Sequence, residues 1–258
     1  MLNKIHFITF YTNKEPALDL SNQEELLKSI IYNCVDSYKA FNQDMLDEIY
    51  IRQYPKLKRK EHSRGCFHGF WRWKPHIILK RLNDDDVKDN DIVIYGDCNL
   101  SRYDDRISDF RNLRNIAEKL FSMIDCDFLI AEDHNRLKMK QHIKPHTMQN
   151  IIGEDWRNYK EDMLLHANIV YCKKTPQAIE IIKEWERLCL IDDLLLPTLP
   201  EKSPLRWHTH DQAIITCLSK RLIMDGVLPK DWPGFYYDYN LKKIIFSIVK
   251  NNRVFYNG

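Results

Sequence analysis

The stretch Asp91-Ile92-Val93-Ile94-Tyr95-Gly96-Asp97 decides the fold. Ile92 to Tyr95 form an unbroken apolar run of β-branched and aromatic side chains, the character of a strand buried on both faces. A carboxylate follows after a single glycine. Working outward, residues 5–11, 128–131 and 167–172 read as further strands, and residues 47–54 as another. Residues 23–41, 70–82, 107–124, 176–190 and 211–222 carry apolar side chains at helical spacing. Residues 134–149 are polar and basic and read as a loop. Residues 191–204 read as a long connection, and the aromatic tail 232–256 as one or two strands. Strands alternating with helices predict an α/β fold, a mainly parallel sheet flanked by helices, as a single domain over residues 1–258. Ligands of such sheets bind beyond the carboxyl ends of the strands. The residues following Tyr11, Tyr95, Ala131 and Cys172 are therefore expected to line the site.

Composition narrows the function classes. A 258-residue chain that is 44% hydrophobic has enough apolar mass for one sizeable core. A formal net charge of +2 makes no electrostatic case for nucleic acid. The basic cluster Lys56, Lys58, Arg59, Lys60 and Arg64 reads as a solvated loop, or as a contact for anionic lipid or a phosphorylated acceptor. Seven cysteines, an odd number with no C-x-x-C pair, predict reduced and buried thiols of a cytosolic protein. The apolar start, residues 1–11, reads as a first strand rather than a leader peptide. No run approaches the ~18 apolar residues of a spanning helix. The expected location is cytoplasmic, soluble or peripheral at the inner face of a membrane.

Asp97 and Asn99 are the first candidate site residues. Residues at i and i+2 of an extended turn point the same way, so a carboxylate and an amide oxygen can share one hard cation. Mg2+ or Mn2+ takes such oxygen ligands together with substrate phosphates. The competing reading of Asp97 is a turn former or helix cap. The run Asp84-Asp85-Asp86 sits in a predicted surface turn and reads as solvated.

The most unusual stretch is Arg64-Gly65-Cys66-Phe67-His68-Gly69-Phe70-Trp71-Arg72-Trp73-Lys74-Pro75. Two of the chain's seven glycines predict a tight backbone path into a helix whose first turn favours an anion. Pro75 fits that first turn. Arg72 and Lys74 add charge for a diphosphate, and Trp71 or Trp73 offers a ring for a base or sugar. The alternative is that the tryptophans are core and Lys74 extends past them towards water.

These residues carry a family resemblance. Arg64-Gly65, Gly69-Phe70-Trp71-Arg72-Trp73-Lys74-Pro75 and Ile92-Val93-Ile94-Tyr95-x-Asp97 resemble the R-G-x-G-Y-W-x-W-K-P and I-Y-x-D-x-G patterns of a family of bacterial and viral glycosyltransferases. Trp207-His208-Thr209-His210-Asp211-Gln212-Ala213-Ile214 is similar to its H-R-H-D-Q-S-I block, and Ile5 to Phe10 to its first strand. The chain departs from the pattern at Phe67-His68, at Gly96 where leucine is common, at Asn99 where small residues are frequent, and at Ala213 where serine is common.

The resemblance implies a GT-A-type fold and a metal-assisted transferase using a nucleotide-sugar donor, a UDP-sugar favoured. Mn2+ or Mg2+ would be held at Asp97 and Asn99, with His208, His210 or water as a further ligand. Thr9 and Tyr11 would lie near the base. Arg64, Trp73, Lys74 and Asn168 would contact the donor. His210, Asp211 and Gln212 would sit where related retaining enzymes place acceptor-binding and catalytic groups. The acceptor would be a glycan or lipid-linked glycan, and surface polysaccharide synthesis is the implied setting. An inverting enzyme needs a carboxylate base, for which Asp211, Glu132 and Asp133 are candidates. Read without the family, Asp211 is a helix cap and the two histidines are loop residues. Two rivals remain at this point: a sugar nucleotidyltransferase, although residues 11–14 lack a glycine-rich phosphate loop, and a sugar-binding module without activity.

Overall fold

The structure is a computed structural model that describes residues 3–12, 20–52, 69–98, 112–133, 137–197, 208–233, 235–238, 243–246, 249–250 and 253–254. Arg64, Asn99 and the basic cluster of residues 56–64 lie outside the described residues.

The continuous apolar runs become the middle of one sheet. β1 (Ile5–Phe10) and β3 (Ile92–Gly96) are buried at every position. β2 (Ser37–Phe41) and β3 flank β1 in parallel. β5 (Leu165–Lys173) lies between β3 and β4 (Phe128–Asp133) and runs antiparallel to both. β6 (Phe235–Asp238) continues beyond β4 in parallel, and β7 (Lys243–Phe246) closes the far edge antiparallel. The order is β2-β1-β3-β5-β4-β6-β7.

The fold is therefore α/β, but the sheet is mixed, with three parallel and three antiparallel neighbour pairs. This corrects the mainly parallel sheet expected from the alternation of elements. Alternation reports that helices separate strands; it does not report which way a strand enters the sheet. One consequence is local. Cys172 pairs with Val93 and Phe128, so the residues after it lie at the far end from Asp97. The start of β5, facing Gly96 through Ile169 and Glu132 through Leu165, shares the end where β3 and β4 finish.

Three further expectations are corrected. The helix predicted over residues 23–41 stops early, as Ser21–Ile31. Asp36 then accepts from the Ile5 backbone N–H at 2.7 Å and donates its own N–H to the Ile5 carbonyl at 2.8 Å, which starts β2 pairing. The strand predicted over residues 47–54 is instead a short helix, Glu48–Ile51. A short apolar run suits either element, and the Tyr50 hydroxyl ties this one to Glu186 at 2.6 Å. The loop predicted over residues 134–149 contains the helices Met139–His142 and Pro145–Ile152. Pro145 opens the second, where its missing N–H is harmless, and Met148, Ile151 and Ile152 form its buried face.

The predicted helix over residues 70–82 forms as Trp73–Leu82. Before it, Gly69, Phe70 and Trp71 all adopt left-handed backbone, with φ of 56°, 54° and 60°. This turn is unfavourable for two bulky residues. Buried Arg72 holds it, donating from Nε to the Gly69 carbonyl at 3.2 Å and from its guanidinium to Asp192 at 2.7 Å. Gly69 is required for space as well, since a Cβ there would sit 2.2 Å from the Tyr50 carbonyl oxygen. Helices Trp73–Leu82 and Pro176–Cys189 pack together, and His210–Met224 packs against β5 and the neighbouring helices. The last is buried from Ala213 to Ser219, so it lacks a clear polar stripe. Its Thr216 accepts from the Leu165 N–H at 3.1 Å and donates to the Gln212 carbonyl at 2.7 Å, which satisfies a hydroxyl deep in the core.

At the end of the sheet remote from Asp97, Arg81 donates to both oxygens of Asp86 and to Asp84, Ser37 Oγ and His6 Nδ1. With Nδ1 accepting, the other ring nitrogen of His6 donates to Asp91 at 3.3 Å. Burial, first among the causes, pushes the His6 pKa down. The acidic run thus does more than face solvent: Asp84 and Asp86 neutralise a buried guanidinium. All six cysteines among the described residues are free thiols, five of them buried.

Gly69→Ala is expected to destabilise the protein by about 2 kcal/mol or more, from the left-handed backbone and the clash with Tyr50. Urea unfolding of the variant against the parent measures it; an unchanged midpoint would show that the turn relaxes freely.

Candidate active site

Asp97 closes β3 and is fixed through its backbone. Its N–H donates to the Asn168 carbonyl at 2.9 Å across the β3–β5 pair. One residue earlier, the Gly96 carbonyl accepts from the buried Thr9 hydroxyl at 2.7 Å. Tyr95 points to the same side as Asp97, and its hydroxyl donates to Asp97 Oδ1 at 2.5 Å. The Asp97 side chain remains 25% exposed.

Lys74 arrives from the helix that follows the left-handed turn. Its ammonium donates to the Ala167 carbonyl at 2.8 Å. It stands 3.0 Å from Asp211 Oδ2 and 3.6 Å from Asp97 Oδ1, and 5.2 Å from the Tyr95 ring centre. Asp211 is the second residue of the His210–Met224 helix and is almost fully buried. Despite its proximity, the Lys74 ammonium is misaligned for a hydrogen bond to Asp211 Oδ2, and this buried oxygen has no hydrogen-bond partner among the described residues. The next residue, Gln212, donates from Nε2 to the Leu165 carbonyl at 2.6 Å, which ties the helix start to the start of β5.

The two partners of the ion pair titrate in different senses. Burial works against the Lys74 ammonium, but Asp211 and then Asp97 outweigh it and hold its pKa above the ordinary lysine value. Burial pushes the Asp211 carboxyl up to about 6, more than Lys74 draws it down, and the Asp97 charge adds to the rise. One cation is shared between two anions, so the more buried anion is under-compensated. Tyr95, buried beside Asp97, is held well above the ordinary phenol range.

The structure brings Lys74, Asp97, Asp211 and the Asn168 backbone together, with Gln212 on the adjoining β5 start. The Asn168 side-chain oxygen is engaged with His166 Nδ1. Trp73 is core, stacked on Phe10 with centroids 3.9 Å apart and edge-on to Tyr95. Thr9 is fully buried and locks β1 to β3. Tyr11 lies at the same end of the sheet, its hydroxyl accepting from Asn42 at 3.2 Å. His210 has a left-handed backbone (φ 51°), packs its ring on Phe70 and Trp71, and donates from Nδ1 to the Leu195 carbonyl at 3.2 Å. His208 accepts from the Lys144 N–H at 3.4 Å and donates to the Leu194 carbonyl at 2.8 Å. Both of its ring nitrogens are engaged, which removes it as a metal ligand.

Two site members escaped the sequence reading. Tyr95 had a usable signal, because i to i+2 alternation places it on the face of Asp97. The Ala167 carbonyl had none, because backbone groups carry no residue-type signature.

Among the described residues no group of three or more His, Cys, Asp or Glu side chains could hold a metal ion. Asp97 nevertheless fits the role of a single carboxylate arm. It is partly exposed at the end of a central strand, and the described residues engage only its Oδ1. A hard cation bound by one carboxylate, with ligand phosphates and water completing the shell, is common for Mg2+. Comparison with models of known protein families, with curated proteins and with solved structures found no match to the chain.

Two outcomes follow from the ion pair. Lys74→Met leaves two facing carboxylates and is expected to destabilise by about 3–5 kcal/mol, while Lys74→Met with Asp211→Asn costs markedly less. A double-mutant cycle by urea unfolding reads the difference, and additive costs would disprove the coupling. Because the folded Asp211 pKa is raised, the native state keeps a proton that the unfolded chain loses between pH 3.8 and about 6. Its contribution to stability therefore falls as pH rises through that window and is level above it. Unfolding free energies of the parent minus those of Asp211→Asn should show that decline; a flat difference would contradict it.

Proposed function

We propose that this chain transfers a sugar from a nucleotide-diphosphate sugar, a UDP-sugar favoured, to a hydroxyl of a glycan or lipid-linked glycan. The observation that carries the reading is convergence. Lys74, Asp97 and Asp211 come from the three separate sequence blocks that resemble the glycosyltransferase family, and they meet within 3.6 Å of one ammonium at the open end of the central strand.

The chemistry asks for this arrangement. Cleaving a sugar–phosphate bond leaves a diphosphate with new negative charge, and a Mn2+ or Mg2+ ion bound there acts as a Lewis acid on the leaving group. Asp97 is the carboxylate that would hold the ion. Its backbone is locked to β5 and one of its oxygens to Tyr95, so it presents the other oxygen without reorganising. Lys74 lies behind it as a buried cation. Asp211 is committed to Lys74, which favours a retaining enzyme, since that mode needs no carboxylate base against the acceptor. No helix among the described residues is long and apolar enough to cross a membrane. A peripheral site at the inner membrane face suits a lipid-linked acceptor.

The test is nucleotide release from UDP-, GDP-, dTDP- and CMP-sugars with Mn2+, Mg2+ or EDTA. Metal-dependent turnover of one donor is expected, falling by at least about a hundredfold in Asp97→Ala if the carboxylate serves the departing charge. Neither turnover nor donor binding from folded protein would overturn the reading in favour of a module without activity.

A further inference from the structure

The Lys74 ammonium sits between two carboxylates that compete for it, and the distances are unequal. It is 3.0 Å from the buried Asp211 and 3.6 Å from the partly exposed Asp97. Its hydrogen bond to the Ala167 carbonyl at 2.8 Å adds a third anchor on β5. An ammonium this deep must find a counter-charge. If Asp211 did not supply it, Asp97 would be the nearest carboxylate, and the ammonium would need to move by less than an ångström to bond it directly. The hydrogen-bond accounting at Asp211 points the same way. Its Oδ2 makes no hydrogen bond among the described residues, and Lys74 is the cation it pairs with. Its backbone position is over-determined: the Trp185 indole donates to the Asp211 carbonyl at 3.3 Å, and Gln212 anchors the helix start to Leu165. The left-handed residues Phe70 and Trp71 each pack on the ring of left-handed His210; the first two stand close in the chain to Lys74, and His210 directly precedes Asp211. The fold thus accepts strained backbone next to the pair, which is where held geometry is expected.

We propose that Asp211 is a positioning residue that holds the Lys74 ammonium away from Asp97 and so keeps the Asp97 carboxylate available to a divalent cation. The inference rests on the transferase reading only in taking Asp97 as the cation's carboxylate. It reassigns Asp211, which the family resemblance groups with the catalytic residues, to a role exercised through Lys74. It also makes the three side chains one coupled unit. A cation on Asp97 and an ammonium on Asp97 exclude each other, and Asp211 sets the balance between them.

The experiment uses the full chain and reads Mn2+ binding directly, by electron paramagnetic resonance titration of free Mn2+, with and without saturating inorganic pyrophosphate. Thermal melts confirm that each variant is folded. The parent is expected to bind Mn2+ at one site that Asp97→Ala abolishes. Asp211→Asn should weaken binding by roughly tenfold, the scale on which an ammonium closing to hydrogen-bond distance strengthens its hold on a carboxylate at an effective dielectric of about 20. Removing the displaced ammonium should then restore it: Lys74→Met with Asp211→Asn is expected within about threefold of the parent, a non-additivity expected only of coupled groups. Equal Mn2+ affinity in the parent and Asp211→Asn would overturn the inference while leaving the transferase reading intact. The inference fails equally if the double variant stays as weak as Asp211→Asn, because Asp211 would then act on the cation directly. Absence of Mn2+ binding in the parent, with pyrophosphate present, would remove the cation from Asp97 and defeat both. Should Asp211→Asn fail to fold, the comparison of Lys74→Met with Lys74→Met/Asp211→Asn decides. Equal affinities are expected when no ammonium remains to be held, and a difference would overturn the inference.

Discussion

A single buried ammonium organises the functional end of this molecule. Lys74 is placed by a helix, its partners by the end of β3, a second helix and a backbone carbonyl near the start of β5. An ion this far from water is tolerated only with opposite charge and hydrogen-bond acceptors close by. That requirement constrains everything around it. The turn at Gly69-Phe70-Trp71 must take a left-handed path to bring the helix start beneath β3, and Arg72 is buried to hold that turn together. The His210–Met224 helix must begin where Asp211 meets the ammonium, and His208, His210 and Gln212 bond to backbone carbonyls to keep it there.

The antiparallel course of β5 matters as much as the ion. Because β5 enters between β3 and β4 in the opposite direction, its first residues lie beside the last residues of its neighbours. The Ala167 and Asn168 carbonyls thereby reach Lys74 and the Asp97 N–H. A parallel strand in that position would have carried those groups to the other end of the sheet. The mixed sheet is thus a condition for the site.

The two ends of the sheet solve the same electrostatic problem differently. At one, Arg81 meets Asp84, Asp86, Ser37 and His6 through its two terminal nitrogens, its buried Nε having no hydrogen-bond partner among the described residues, and joins β1 and β2 to the helix behind them. At the other, Lys74 is shared between carboxylates, with one acidic oxygen left without a hydrogen bond. What sets the second end apart is one ammonium shared by carboxylates of two separate segments, one of them buried and the other partly exposed.

Much of this was legible in the chain itself. Unbroken apolar runs announced β1 and β3, helical periodicity announced most of the long helices, and the placement of Asp97 directly after a buried strand singled out the end of β3. Local patterns suffice for these because burial on both faces, or on one stripe, writes itself into residue type. Trp73 as core rather than ligand was one of two readings the residues allowed. The sequence could not reveal that residues 37–41 leave a helix to form β2, since the Asp36 to Ile5 hydrogen bonds that start the strand join segments far apart in the chain. Nor could it reveal the direction of β5, or that Lys74 would lie between Asp97 and Asp211. By itself the sequence determined the strands β1, β3, β4 and β5 and the acid that follows β3, because those depend on neighbours within a few residues. Only the tertiary structure decided which charges meet, because an ammonium finds its counter-ions through the packing of distant segments, and no short-range pattern encodes that distance.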